Sequence, residues 1–229
     1  MSIADKLATI AANEQKVFDA GKKAEYDAFW DNFQLNGNRT NYCFGFRNWE
    51  AGYWNANNLK PKYDLTPVGY CPSMFNGVKG ITDFDDLGVS LDTSKVTDFA
   101  DGFYSTDFEH VGVLVLSSCT NVNSMFSTSK VKRIDGLIFS ATCPMNKPIN
   151  YAYDLEHVIF GGTIGTSGLD LRSVTKIDHE SLVSLLNCLE DKSTDASGTS
   201  WTLPLGNTNL AKLTDDEKKI ATDKGWTLA

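Results

Sequence analysis

The chain has 229 residues, 41% of them hydrophobic and 22% charged, which suits an ordinary water-exposed protein with enough apolar mass to bury a core. Its formal net charge of −8 argues against phosphate backbones and anionic membranes as partners, and no run of adjacent Lys/Arg exceeds a pair such as Lys22-Lys23. Nucleic-acid binding and membrane insertion are therefore not expected: no apolar run nears the eighteen or so residues of a spanning helix.

In chain order, "MSIADKLATIAANEQK" carries acids early and lacks the basic head and apolar core of a secretory signal, which predicts a protein made and left in a cytoplasm unless it is processed upstream. Residues 1–34 read as one helix, with Ser2 as N-cap and Ile3, Leu7, Ile10 and Val17 at the three-four spacing of a seam. Tyr26, Phe29 or Trp30, and Phe33 form a second, bulkier stripe, and Gly37 suits a left-handed stop. Such a helix would run roughly 45 Å. That outreaches five strand spacings, roughly 25 Å, so its slim first half is expected to project and to serve as an anchor or oligomerisation seam.

Residues 35–67 form an aromatic block containing "NYCFGFRNWEAGYW" (41–54). Ten rings lie between Tyr26 and Trp54, and at about 150–250 Å² each they exceed what a monomer leaves exposed, so most are expected to be buried in an N-terminal cap. Tyr42, Phe44 and Phe46 alternate like one strand face. Trp49, Tyr53 and Trp54 lie past that strand and are the expected ligand-binding residues, if the block binds one.

From 68 to 178 the chain repeats itself. "SMF" occurs at 73–75 and 124–126, with "DGF" at 101–103, and each is followed by an apolar doublet: Val78/Ile81, Phe108/Val111, Val131/Ile134 and Leu155/Val158. The last three doublets are 23 and 24 residues apart, with strand-like "VGVLVLS", "IDGLIFS" and "VIFGGTI" following in step. One short strand per unit at this period predicts a leucine-rich-repeat solenoid of about five turns, an α/β repeat fold. Residues 179–229 read as an α/β C-terminal cap: a helix with Leu182, Leu185, Leu186 and Leu189 on one side, a strand at "WTLPL", and a helix opened by the capping box Thr214 to Glu217.

The segments "LDTSKVTDFADGF" (91–103), "CTNVNSMF" (119–126) and "LTDDEKKIATDKGWTLA" (213–229) resemble BspA-like leucine-rich-repeat proteins of gut Firmicutes and their phages. The opening helix and "LKPKYDLTP" (59–67) are similar to the signal-less version found in phage and prophage structural regions. The resemblance implies a repeat module used for binding or display, without a catalytic set. "CPMNKPIN" (143–150) departs from it by lacking the Met-Phe pair, which predicts a bulge there.

Little in the residues points to catalysis. His110 and His157 hold the same place in "FEHV" and "LEHV", where Lys132-Arg133 stands between them, so pairing across neighbouring turns is expected. His179 has no ligand pattern near it. Asp83, Asp85 and Asp86 lack the twelve-residue loop of a calcium hand. Five scattered cysteines form neither a disulfide framework nor a zinc pair; Cys119 and Cys143 are expected to stack as buried thiols. "GGTIGTSG" (161–168) lacks the Lys-Ser/Thr ending of a phosphate loop and reads as a turn. No metal and no cofactor are implied. The leading expectation is a non-enzymatic virion component, tail- or fibre-associated, that binds other virion proteins or itself through the helix and a host-surface glycan or protein through the repeats. A bacterial surface adhesin is the alternative, and a carbohydrate-active enzyme a third.

Overall fold

The computed structural model describes residues 65–87 and 90–229, together with residue 9 and residues 11–13, 15–17, 19–21 and 23–25. The chain divides into two compact units, Met1–Arg39 and Thr40–Ala229. In the first unit the described residues are helical and lie between 9 and 25. Ile3, Leu7 and Ile10 lie outside the described residues; Val17 is within them and is 74% exposed.

In the second unit the chain runs through β1 (Val68–Tyr70), a 3-10 turn (Phe84–Leu87), β2 (Lys95–Asp98), β3 (His110–Leu116), β4 (Arg133–Phe139) and β5 (His157–Gly162). Then come α1 (His179–Cys188), β6 (Thr202–Leu203), α2 (Gly206–Leu210), α3 (Asp215–Asp223) and β7 (Thr227–Leu228). All pairings between these strands are parallel. β1 pairs with β2, β3–β4–β5 form a three-stranded sheet, and β6 pairs with β7. In the central sheet His110 faces Arg133 and Arg133 faces His157.

This arrangement overturns the expected leucine-rich-repeat solenoid of about five turns with a long N-terminal helix. The described strands form three separate short parallel sheets, helices are few among the described residues, and within 1–34 the described helical residues lie between 9 and 25. One strand per unit would place every strand in one ladder. Instead β1–β2 and β3–β4–β5 draw on different stretches of the repeated sequence. β2 meets the next segment through the bridge Asp98 to Asn121 and the bond from the Thr120 N–H to the Thr97 carbonyl (2.7 Å), and β3 reaches back through the bridge Asp83 to His110 and the bond from the Val115 N–H to Thr93 Oγ1 (2.8 Å).

What separates the two ladders is a turn built on left-handed backbone. Ser73, Asp101, Ser124 and Lys147 have φ of 56°, 53°, 52° and 53°. Four residues on, Gly77, Ser105, Thr128 and Tyr151 have φ of 72°, 55°, 57° and 60°. A strand cannot pass through such residues, yet the turns stack by their own backbone bonds. The Phe75 N–H donates to Gly102 (2.8 Å) and the Phe103 N–H to Met125 (2.8 Å). Inside them Phe75, Phe103 and Phe126 lie ring over ring, with centroids 5.0 Å apart at each step and planes within 16° and 5° of parallel. The expected bulge at 143–150 does not occur. Ile149 takes the place of the phenylalanine, fully buried, and Lys147 and Tyr151 keep the two left-handed positions.

The apolar doublets supply the core: Val78, Ile81, Phe108, Val111, Val131, Ile134, Leu155 and Val158 are all buried. The glycines of "GGTIGTSG" permit close approach. At Gly162, with φ of +73°, a Cβ would stand 2.0 Å from the Phe139 carbonyl oxygen, so no side chain fits. Asp178 caps the start of α1, its carboxylate accepting from the Ser181 N–H at 2.8 Å, and the helix buries Leu182, Leu185 and Leu186. α3 carries the expected capping box between Thr214 and Glu217. Asn209, fully buried, donates its amide to Leu171, Val174 and Leu205 carbonyls and so ties α2 to the loop before α1.

Candidate functional site

Trp49, Tyr53 and Trp54, the expected ligand contacts, lie outside the described residues. Chemistry has to be sought in three other places.

The first is the histidine column. His110 is more enclosed than an outward pairing position suggests, its side chain 24% exposed. Its Nδ1 lies 3.0 Å from Asp83 and its Nε2 3.0 Å from Asp135. Both nitrogens facing carboxylates makes the ring a double donor, an imidazolium. Burial works against that charge, but the bonds from Asp135 and Asp83 outweigh it and raise the His110 pKa. Asp135 also accepts from Arg133 Nε at 2.8 Å. Beside these, Glu109 pairs with Lys132 at 2.8 Å and His157 with Asp178 at 2.7 Å. His179, which has no ligand pattern near it in the sequence, faces Glu217 at 2.8 Å. Asp83, Asp85 and His110 place one ligand atom each within 4.8 Å of one another, the cluster among the described residues with the geometry to approach a cation. The Asp83 oxygen facing His110 also accepts the Asp85 N–H at 2.9 Å, so the imidazolium already satisfies the charge there.

The second place is the thiols. Cys71, Cys119 and Cys143 are buried and in no disulfide. Burial pushes the Cys119 thiol up to about 12 and the Cys143 thiol up to about 11. Cys119 Sγ lies 3.1 Å from the Val96 carbonyl oxygen. A thiol so held is a core side chain, not a nucleophile.

The third is a depression of about 200 Å³ between the last left-handed turn and the loop before α1. Lys147, Asn150 and Tyr151 line one side, and Asp170, Arg172 and Ser173 the other. Arg172 grips Asp170 through Nε (3.0 Å) and Nη2 (2.7 Å), which holds the Asp170 carboxyl below its usual range despite partial burial. Ser173 Oγ accepts the Tyr151 N–H at 3.0 Å and ties the two sides together. Tyr151, in the lining, and Tyr153 beside it are 48% and 55% exposed, ring centroids 5.9 Å apart and planes tilted by 47°. Asn150 is nine-tenths buried, and its Oδ1 has no hydrogen-bond partner among the described residues. An unmet buried acceptor costs about 1–3 kcal/mol.

Sequence reasoning passed over this group. The signal was available: Tyr151 occupies the column otherwise filled by Gly77, Ser105 and Thr128. A bulky ring in left-handed backbone costs about 1–3 kcal/mol, so the exception stands out once the turns are aligned. The larger groove near the C-terminus, about 660 Å³, is lined by Leu210, Lys218, Thr222, Trp226 and Leu228 among others and is open to solvent. No family model, curated protein or solved structure matches the chain.

Proposed function

We propose that this protein is a non-enzymatic structural component of a phage particle, tail- or fibre-associated, that presents the surface of its repeated turns to a ligand on the host. The observation that carries this reading is how the polar groups are used. Glu109, Lys132, Arg133, Asp135, His110 and His157 are engaged with one another or with Asp83 and Asp178, while an aromatic-rimmed depression at Tyr151 and Tyr153 faces solvent. Exposed tyrosines with polar neighbours are suited to recognition. The resemblance of the repeat and opening segments to signal-less phage-type BspA-like proteins supplies the setting, and the N-terminal seam would attach the protein to itself or to other virion proteins.

Mass spectrometry of purified particles from a host carrying the gene is the direct test. Peptides spanning the chain at the copy number of known structural proteins are expected. Their absence from particles, with the protein abundant in the lysate, overturns the reading. Release of reducing ends from host cell-wall or capsular glycans by the purified protein would overturn its non-enzymatic part.

A further inference from the structure

We infer that the depression between Lys147–Tyr153 and Asp170–Ser173 is a saccharide subsite, and that the sugar unit it takes carries a carboxylate. The inference rests on the binding role proposed above, not on the phage setting.

Three independent features converge. Tyr151, in the lining, and Tyr153 beside it have ring centroids 5.9 Å apart and planes tilted by 47°, both about half exposed, and form an angled aromatic pair against which a pyranose ring can rest. Asn150 lies among the lining residues, nine-tenths buried, with an amide oxygen that meets no donor among the described residues. An amide at this position can meet a sugar hydroxyl as donor or as acceptor. The third feature is charge. Asp170 is taken up by both Nε and Nη2 of Arg172, and no carboxylate lies within ion-pair distance of Lys147 among the described residues. One carboxylate against two cations leaves the site locally positive on a chain whose formal net charge is −8. An acidic sugar meets all three: ring on tyrosine, hydroxyl on Asn150, carboxylate on Lys147.

The test uses the full chain and saturation-transfer NMR with trigalacturonic acid, maltotriose serving as the neutral comparator. Trigalacturonic acid is expected to bind, and maltotriose more weakly. Tyr153→Ala should weaken acidic-sugar binding by about tenfold. Lys147→Asn, chosen because Asn tolerates left-handed backbone, should weaken it by about fivefold and leave maltotriose unchanged. Both side chains face solvent, so near-ultraviolet circular dichroism should match the parent protein. Failure of the parent to bind either sugar, or binding untouched by Tyr153→Ala, overturns the subsite. Equal binding of both sugars with Lys147→Asn silent overturns the carboxylate. A protein found in particles that binds neither sugar loses this inference and keeps the proposed role; one that binds but is missing from particles does the reverse.

Discussion

His110 shows how one side chain acquires a role from neighbours distant in sequence. Asp83 and Asp135 bracket it at 3.0 Å on each nitrogen, with Arg133 fixing Asp135 and Asp85 donating its backbone N–H to Asp83. Its pKa is raised above the ordinary 6.5, so the folded state holds the proton more tightly than the unfolded chain. That stabilisation is complete below pH 6.5 and is lost as pH rises through the higher folded value. At the acid end the pair fails differently. Asp135 is partly buried, yet its bonds to His110 and Arg133 hold its pKa down, so its share is lost as pH falls through that lowered value. His110→Asn should therefore lower the thermal midpoint most near pH 5.5 and progressively less toward pH 8.5. A deficit constant across that range would show that the imidazolium contributes nothing.

At the scale of elements, the phenylalanine ladder and the left-handed turns do the work the strands cannot do continuously. Phe103 lies stacked between Phe75 and Phe126 and makes edge contacts with Phe99 and Phe108, at centroid distances of 5.6 and 5.9 Å. Phe103→Ala opens a cavity bounded by rings from successive turns and should cost about 3–5 kcal/mol. Urea unfolding measures it; a loss below 1 kcal/mol would mean the turns collapse freely around the gap. The recurrence of "SMF", "DGF" and "SMF" made this column legible in the sequence. Its continuation through Ile149 was not, because the Met-Phe pair is missing there and backbone conformation, not residue identity, preserves the turn. The divided sheets were hidden for a related reason. Apolar periodicity marks which side chains go inward and is silent on which inward stretches complete a hydrogen-bonded ladder.

At the scale of the whole molecule, a net charge of −8 keeps copies apart over the general surface, so self-association needs a specific apolar seam. Val17 is the described member of the proposed seam with Ile3, Leu7 and Ile10, and it is 74% exposed. Light scattering of the intact protein is expected to give a multiple of its 25.2 kDa chain mass, and removal of residues 1–20 should return a monomer. An intact protein at the mass of one chain would remove the helix from the proposed role. The tyrosine-rimmed depression belongs to this scale too, since Lys147–Tyr153 and Asp170–Ser173 meet only through stacking of successive turns.

Local chemistry in the sequence was enough to determine the inward residues of the doublets, the burial of Cys119 and Cys143, the helix beginning after Asp178 and the capping box at Thr214, because each depends on spacing within a few residues or on hydrophobicity alone. The tertiary structure alone decided that the strands divide into three sheets, that His110 is held by two carboxylates, and that Asn150 and Arg172 face one depression. Those outcomes depend on which turn stacks on which. Stacking is set by left-handed backbone and cross-turn hydrogen bonds, which residue type marks at the recurring triplets and leaves unmarked at Lys147 to Ile149.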